Sequence, residues 1–211
     1  DFDGIHVEGI RHISPIDIEF ARELGYGIKL LGVAARTADG FEQRVHPCMV
    51  PQSAPINHVS GVLNGIAVDG NFVDTTIYEG RGAGAGPTAS AVVADILDIA
   101  WGNRMPVFGI PARNLKPAQT VDMGRHRGAY YVRLTVVDKP GVFADIAAIL
   151  RDHEVSMESV LQRGRAPGEP VSVVMTFHES LEADVVKTLD AMASLDTVVE
   201  APRMIRVETF A

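Results

Sequence analysis

The run Tyr130 to Val137 (YYVRLTVV) constrains the fold more than any other stretch. It is β-branched and aromatic, and it breaks at Asp138-Lys139-Pro140-Gly141. Apolar spacing then changes to Phe143, Ile146, Ala147, Leu150, the i, i+3, i+4, i+7 pattern of a helix face over 141–153. A strand over Val155–Gln162 follows, and the loop Arg163 to Pro170 turns the chain into Val171–His178, where apolar and polar residues alternate. A second helix over Glu182–Leu195 buries Val185, Leu189 and Met192. The last strand covers Val198–Glu208, with Pro202 marking an edge or a bulge.

The order β-α-β-β-α-β specifies a ferredoxin-like sandwich, with two helices on one face of an antiparallel sheet. The other face is left bare, so another subunit is expected to cover it or to extend the sheet edge.

Upstream, Ser14-Pro15-Ile16-Asp17 supplies an N-cap, a proline at the first helical position and an acid at N3 for a helix ending at Leu24-Gly25. Tyr26–Arg36 and Phe41–Met49 read as strands joined through Asp39-Gly40, and Gly65–Val68 and Phe72–Tyr78 as a second pair across Asp69-Gly70-Asn71. A short helix is expected over Pro55–Leu63. The fold class is thus α+β: a mixed or antiparallel sheet layer of four strands with helices over 1–102, a linker over 103–128 carrying prolines and no sustained period, and the sandwich over 129–211.

Four alternate glycines in Gly80-Arg81-Gly82-Ala83-Gly84-Ala85-Gly86 lead from a strand into a helix starting near Pro87. Such a turn lets backbone N–H groups approach an anion or a flat cofactor, or it is simply a flexible crossover. It is not the G-x-G-x-x-G fingerprint of a dinucleotide fold. A second candidate is the turn at Asp138, Gly141 and Val142, where a helix N-terminus suits a ligand carboxylate, with Gln162 on the adjacent strand as a side-chain contact. A capped, rigid turn without a ligand is the alternative.

A formal net charge of −8 offers no basic field for nucleic acid or an anionic membrane. No apolar run reaches the ~20 residues of a membrane span. The single cysteine, Cys48, cannot form an internal disulfide and is expected to be packed rather than reactive. A cytoplasmic protein is expected. His46, His58, His126 and His178 lack the companions of a metal site, so no metal is expected. The chain opens on Asp1-Phe2-Asp3-Gly4 without an initiator Met and reads as the C-terminal piece of something longer.

Residues Leu134 to Phe143, in their β-α-β-β-α-β setting, resemble an ACT domain, the amino-acid-sensing module of biosynthetic enzymes. The segment Gly80 to Gly84 with Pro87-Thr88-Ala89-Ser90-Ala91-Val92-Val93-Ala94-Asp95, preceded by Glu8-Gly9-Ile10 and Gly25-Tyr26-Gly27-Ile28-Lys29-Leu30-Leu31, resembles the C-terminal half of the homoserine dehydrogenase catalytic domain. The resemblance covers essentially all 211 residues. It implies an NAD(P)-dependent oxidoreductase interconverting L-homoserine and L-aspartate 4-semialdehyde, on the route to threonine and methionine. Threonine would be the effector, bound at the 138–142 turn, shared between two ACT domains of a homo-oligomer and acting through the 103–128 linker.

Family resemblance places the nucleotide-binding domain and the catalytic Asp and Lys before Glu8, so no catalytic residue is assigned here. It assigns cofactor contact to Gly84, with Gly82 and Ala83 beside it. Lys29, in an apolar strand, does not match the catalytic lysine, and Ala54-Pro55-Ile56-Asn57-His58 departs from the pattern of relatives. The alternative is a non-catalytic amino-acid-binding regulatory or dimerisation protein.

Overall fold

A computed structural model describes residues 2–106, 108–164 and 166–209. Asp1, Val107, Arg165, Phe210 and Ala211, which belong to the expected opening, linker, 163–170 loop and end of the sandwich, lie outside the described residues. The chain forms two compact units, one from residues 2–52 with 119–209, the other from 53–118.

In the first unit the βαββαβ reading holds. Strand β6 (Arg127–Val137) leads through α3 (Val142–Asp152) to β7 (Met157–Gln162), β8 (Pro170–Leu181), α4 (Glu182–Ala193) and β9 (Arg203–Val207). Strand order is β9-β6-β8-β7, all antiparallel, as a ferredoxin-like sandwich requires. Alternation along β6 sends Tyr130, Val132, Leu134 and Val136 to one face. There they pack with Val142, Ile146 and Leu150 of α3 and Val185 and Met192 of α4. The last strand is shorter than the expected 198–208. Val198 makes only an isolated bridge to Val136, and Pro202 stands just before β9 rather than inside it.

Two expectations are corrected. The second face of this sheet is not bare: Tyr131, Val174, Ile205 and Val207 pack against Phe20 and Ala21 of α1 (Pro15–Glu23) and Met49. Nor do the four upstream strands share one layer. The hairpin β2 (Tyr26–Thr37) and β3 (Gly40–Pro51) joins the sandwich instead, β3 running parallel to β9 through Cys48↔Arg206 and Met49↔Val207. With β1 (His6–Val7) parallel to β3, the result is one seven-stranded mixed sheet.

Residues 119–128, expected as linker, also belong here. Phe41 donates its N–H to Gln119 O and accepts at its carbonyl from Val121 N. Only glycine fits at position 40, where φ is +143° and a Cβ would collide with the Gln119 carbonyl.

The second unit contains the separate hairpin β4 (Leu63–Gly70) and β5 (Asp74–Arg81), and then α2 (Ala85–Trp101). The short helix expected over 55–63 is a single 3-10 turn, Pro55–His58. No helix among the described residues is long and apolar enough to cross a membrane.

Helix α1 is fixed to the sheet by a buried carboxylate. Asp17 accepts from the Ser14 N–H (2.9 Å) and hydroxyl (2.8 Å), from the Tyr131 hydroxyl (2.9 Å) and from Arg133 Nε (2.7 Å). Burial alone would raise its pKa, but these hydrogen bonds, led by Arg133, outweigh it and hold the carboxyl below its ordinary value. A depressed folded-state pKa stabilises above the unfolded value, about 3.9, and that contribution fades as pH falls through the folded value. Asp17→Asn should therefore cost about 3–5 kcal/mol at pH 7 in urea denaturation, since it strands the Arg133 charge. That gap should narrow below pH 4; a pH-independent gap would contradict the ion-pair account.

Candidate functional site

Three places carry functional chemistry, and the first is the glycine turn. β5 ends at Arg81, Gly82 and Ala83 form the bend, and Gly84 is the N-cap of α2 with φ +120° and ψ 153°. A Cβ at Gly82 would strike the Asn64 amide, whereas at Gly84 the backbone angle itself excludes other residues. No side chain caps α2, and Gly82, Ala83 and Gly84 are all exposed. The turn thus presents bare backbone at the positive end of a 17-residue helix. Pro87 is the third helical residue and so lies in the first turn.

At the second place Gly141 (φ +98°) is the N-cap of α3, again without a side-chain cap. Asp138 is already engaged: its Oδ2 accepts from Ala166 N (2.9 Å), its N–H donates to Glu169 O and its carbonyl accepts from Gly168 N. The Asp138 carboxylate therefore braces the 166–169 loop. Val142 is buried in the core, so only its backbone could meet a ligand. Gln162 is not brought to the turn; the registers set it beside Val173, which faces Leu134.

The third place lies at the β3–β9 seam and was not legible as a site. Alternation along β3 puts Glu42, Arg44, His46 and Cys48 on one face. Arg44 donates to Glu42 (2.6 Å) and, through Nη2, to both oxygens of Glu208 (2.9 and 3.1 Å). His126 Nδ1 lies 2.9 Å from Glu42. Arg206 donates to Glu182 (2.7 and 2.5 Å), the first residue of α4, and to Glu8 (2.9 Å). Burial works against the Arg206 charge, yet the hydrogen bonds and charge of Glu182 and the charge of Glu8 hold its pKa above the ordinary value. For Glu8, burial raises the pKa, but the charge and hydrogen bond of Arg206 together with those of His6 outweigh it and hold the carboxyl below its ordinary value.

Cys48 is fully buried, as expected of a packed cysteine, and burial pushes its thiol up to about 12. Among the described residues, Cys48 and Glu208 lie against His46, a grouping that neither i, i+4 nor Cys-x-x-Cys spacing reveals. The readable signal was the polar alternation Glu42-Gln43-Arg44-Val45-His46-Pro47-Cys48; Glu208 could not be paired with it from sequence spacing. A cleft of about 650 Å³ opens beside the seam, lined in part by Glu42, Arg44, His126 and Glu208.

Residues 1–97 match the family model for homoserine dehydrogenase, and residues 130–197 the model for the ACT domain. In this chain the first 97 residues are homoserine dehydrogenase-like. Its second half carries an ACT domain. The homoserine dehydrogenases of Neisseria gonorrhoeae and Helicobacter pylori are 38% and 40% identical to it, over 99% and 97% of this chain but 49% and 48% of their own length. The solved homoserine dehydrogenase from Thiobacillus denitrificans superposes with a TM-score of 0.87 at 37% identity, over 99% of this chain and 48% of that one. The chain spans about half the length of the relatives it matches. The ACT domain shares its sheet and its buried charges with residues matched to the dehydrogenase family.

Removing Arg206 would leave Glu182 buried without its partner. Arg206→Ala is expected to destabilise the chain by about 3–5 kcal/mol. Arg206→Met combined with Glu182→Leu should recover part of that loss, as read by urea midpoints. A loss below about 1 kcal/mol for the single variant would show that the seam is not held by this pair.

Proposed function

We propose that this chain is part of an NAD(P)-dependent oxidoreductase that interconverts L-homoserine and L-aspartate 4-semialdehyde in the cytoplasm, with its ACT domain taking threonine as a feedback effector. The observation that carries the reading is the succession of a homoserine dehydrogenase match and an ACT match in one chain, together with homoserine dehydrogenases 38% and 40% identical over nearly all of it. The reacting acid and base are proposed to lie outside these residues, and none is assigned here. The protein would work as a homo-oligomer on small-molecule substrates.

The glycine turn fits a cofactor contact. Exposed backbone at Gly82, Ala83 and Gly84, free of side chains larger than a methyl, admits close approach, and the α2 N-terminus favours a negatively charged group. The nicotinamide cofactor, when bound, supplies the hydride acceptor or donor. This chain's part is to position it.

In the ACT domain, the uncapped first turn of α3 beside Gly141 would take the effector carboxylate, with the backbone of Val142 as donor and Asp138 holding the 166–169 loop in place. Gln162, one strand beyond β8, would have to meet the ligand from a different side. An effector shared between two ACT domains would allow that. Threonine would then act by binding one subunit arrangement more tightly than another.

Two measurements on the full-length protein test this. Gly84→Val should raise the KM for NAD(P) at least tenfold in homoserine-dependent reduction, because the side chain both blocks approach and cannot hold φ +120°. An unchanged KM would remove Gly84 from the cofactor site. Titration with L-threonine should give binding heat and inhibition at millimolar concentration or below, and Asp138→Ala should weaken both. Absence of heat would overturn the effector assignment. The intact chain is required, because a truncation starting at residue 125 would uncover the sheet face that α1 closes.

A further inference from the structure

Among the described residues, His46, Cys48 and Glu208 are the group whose ligand atoms converge within 4.8 Å of one another. His46 and Cys48 are fully buried, and Glu208 is mostly so. His46 Nδ1 lies 3.1 Å from the Pro47 carbonyl and 3.3 Å from Cys48 Sγ; with the proton on Nδ1 and donated to that carbonyl, the ring keeps its lone pair on Nε2. Nε2 then faces Glu208 Oε1 at 3.7 Å, with Cys48 Sγ 4.0 Å away. In that tautomer two acceptors face each other beside a thiol whose S–H lies within reach of the His46 carbonyl (3.3 Å).

We propose that His46, Cys48 and Glu208 form a site for a thiolate-binding divalent cation of the zinc class, at the seam between β3 and the end of β9. Ligands at about 2.0–2.3 Å in a tetrahedral arrangement stand about 3.4 Å apart for N and O and about 3.6 Å for N and S. The observed 3.7 and 4.0 Å need only a small contraction. The surrounding contacts are those of a metal site: the imidazole's other N–H is held by a backbone carbonyl, and the carboxylate is held by Arg44. Binding replaces the Cys48 S–H bond by an S–metal bond and releases that proton to solvent.

Charge supports a cation here. Four carboxylates (Glu8, Glu42, Glu182, Glu208) meet two guanidiniums (Arg44, Arg206) in this network. The carboxylates of the network outnumber its guanidiniums, a surplus of negative charge that a bound cation would reduce. Glu208 also lines the neighbouring cleft, so the group borders solvent on that side. A bound ion would fasten the hairpin of the dehydrogenase-family region to the last strand of the ACT domain.

The test is cobalt substitution in the full-length protein. One equivalent of Co2+ per chain should give a thiolate-to-cobalt charge-transfer band, abolished by Cys48→Ser and by an excess of Zn2+. His46→Gln and Glu208→Gln should each weaken Zn2+ binding at least tenfold in competition with a chromophoric chelator. Zn2+ should also raise the melting temperature of the wild type and leave that of Cys48→Ser unchanged, a readout that needs only the wild type if a variant fails to fold. No cobalt band at one equivalent, a band that survives Cys48→Ser, or no thermal response of the wild type to Zn2+ would each overturn the proposal.

Discussion

Parallel pairing of Cys48 with Arg206 and of Met49 with Val207 joins strands from opposite ends of the chain, and much of the first unit follows from it. Once β3 lies against β9, the ferredoxin-like sheet acquires the β2–β3 hairpin and β1 as additional strands. The exposed backbone that β9 would otherwise present as an edge is thereby paired. Helix α1 is carried to the sheet face opposite α3 and α4, where Phe20 and Ala21 complete a second apolar cluster. That second cluster could not be sealed by the ACT residues alone.

The same pairing creates an electrostatic problem and its solution. Arg206 lies between Ile205 and Val207, which face α1, so its side chain points to the α4 side of the sheet, beside polar residues of β3. A guanidinium there would be costly without partners, and Glu182 at the start of α4 and Glu8 beyond β1 provide them. Glu42, Arg44, His126 and Glu208 extend the network towards the 119–128 segment. This seam links residues matched to the dehydrogenase family with residues of the ACT domain by directional contacts. Any rearrangement of one against the other must break several charge-assisted bonds together.

Outside that seam the candidate sites are backbone sites. Gly84 and Gly141 each precede a helix whose first turn has no side-chain cap, and both adopt positive φ. They differ in their support. Asp138 ties the second turn to the loop 166–169, whereas the first is flanked only by small residues, with Asn64 packed beneath Gly82.

Local chemistry alone determined much of this protein. The capping signal Ser14-Pro15-Ile16-Asp17, the βαββαβ alternation from Tyr130 onward, the glycine-led entry into α2 and the packed Cys48 all follow from neighbours within a few residues, and all are present. Strand partners further away were not determined locally. Period-2 alternation says which side chains share a face but not which edge that strand will join, so the four upstream strands read as one layer when they belong to two sheets. Only the tertiary structure decided that Asp17, besides capping α1, would neutralise Arg133, and that Glu208 would close on His46 and Cys48. Those pairings are set by the long-range register of β3 against β9, and burial makes them compulsory, because a charge inside a sheet must find a partner wherever the fold has put one.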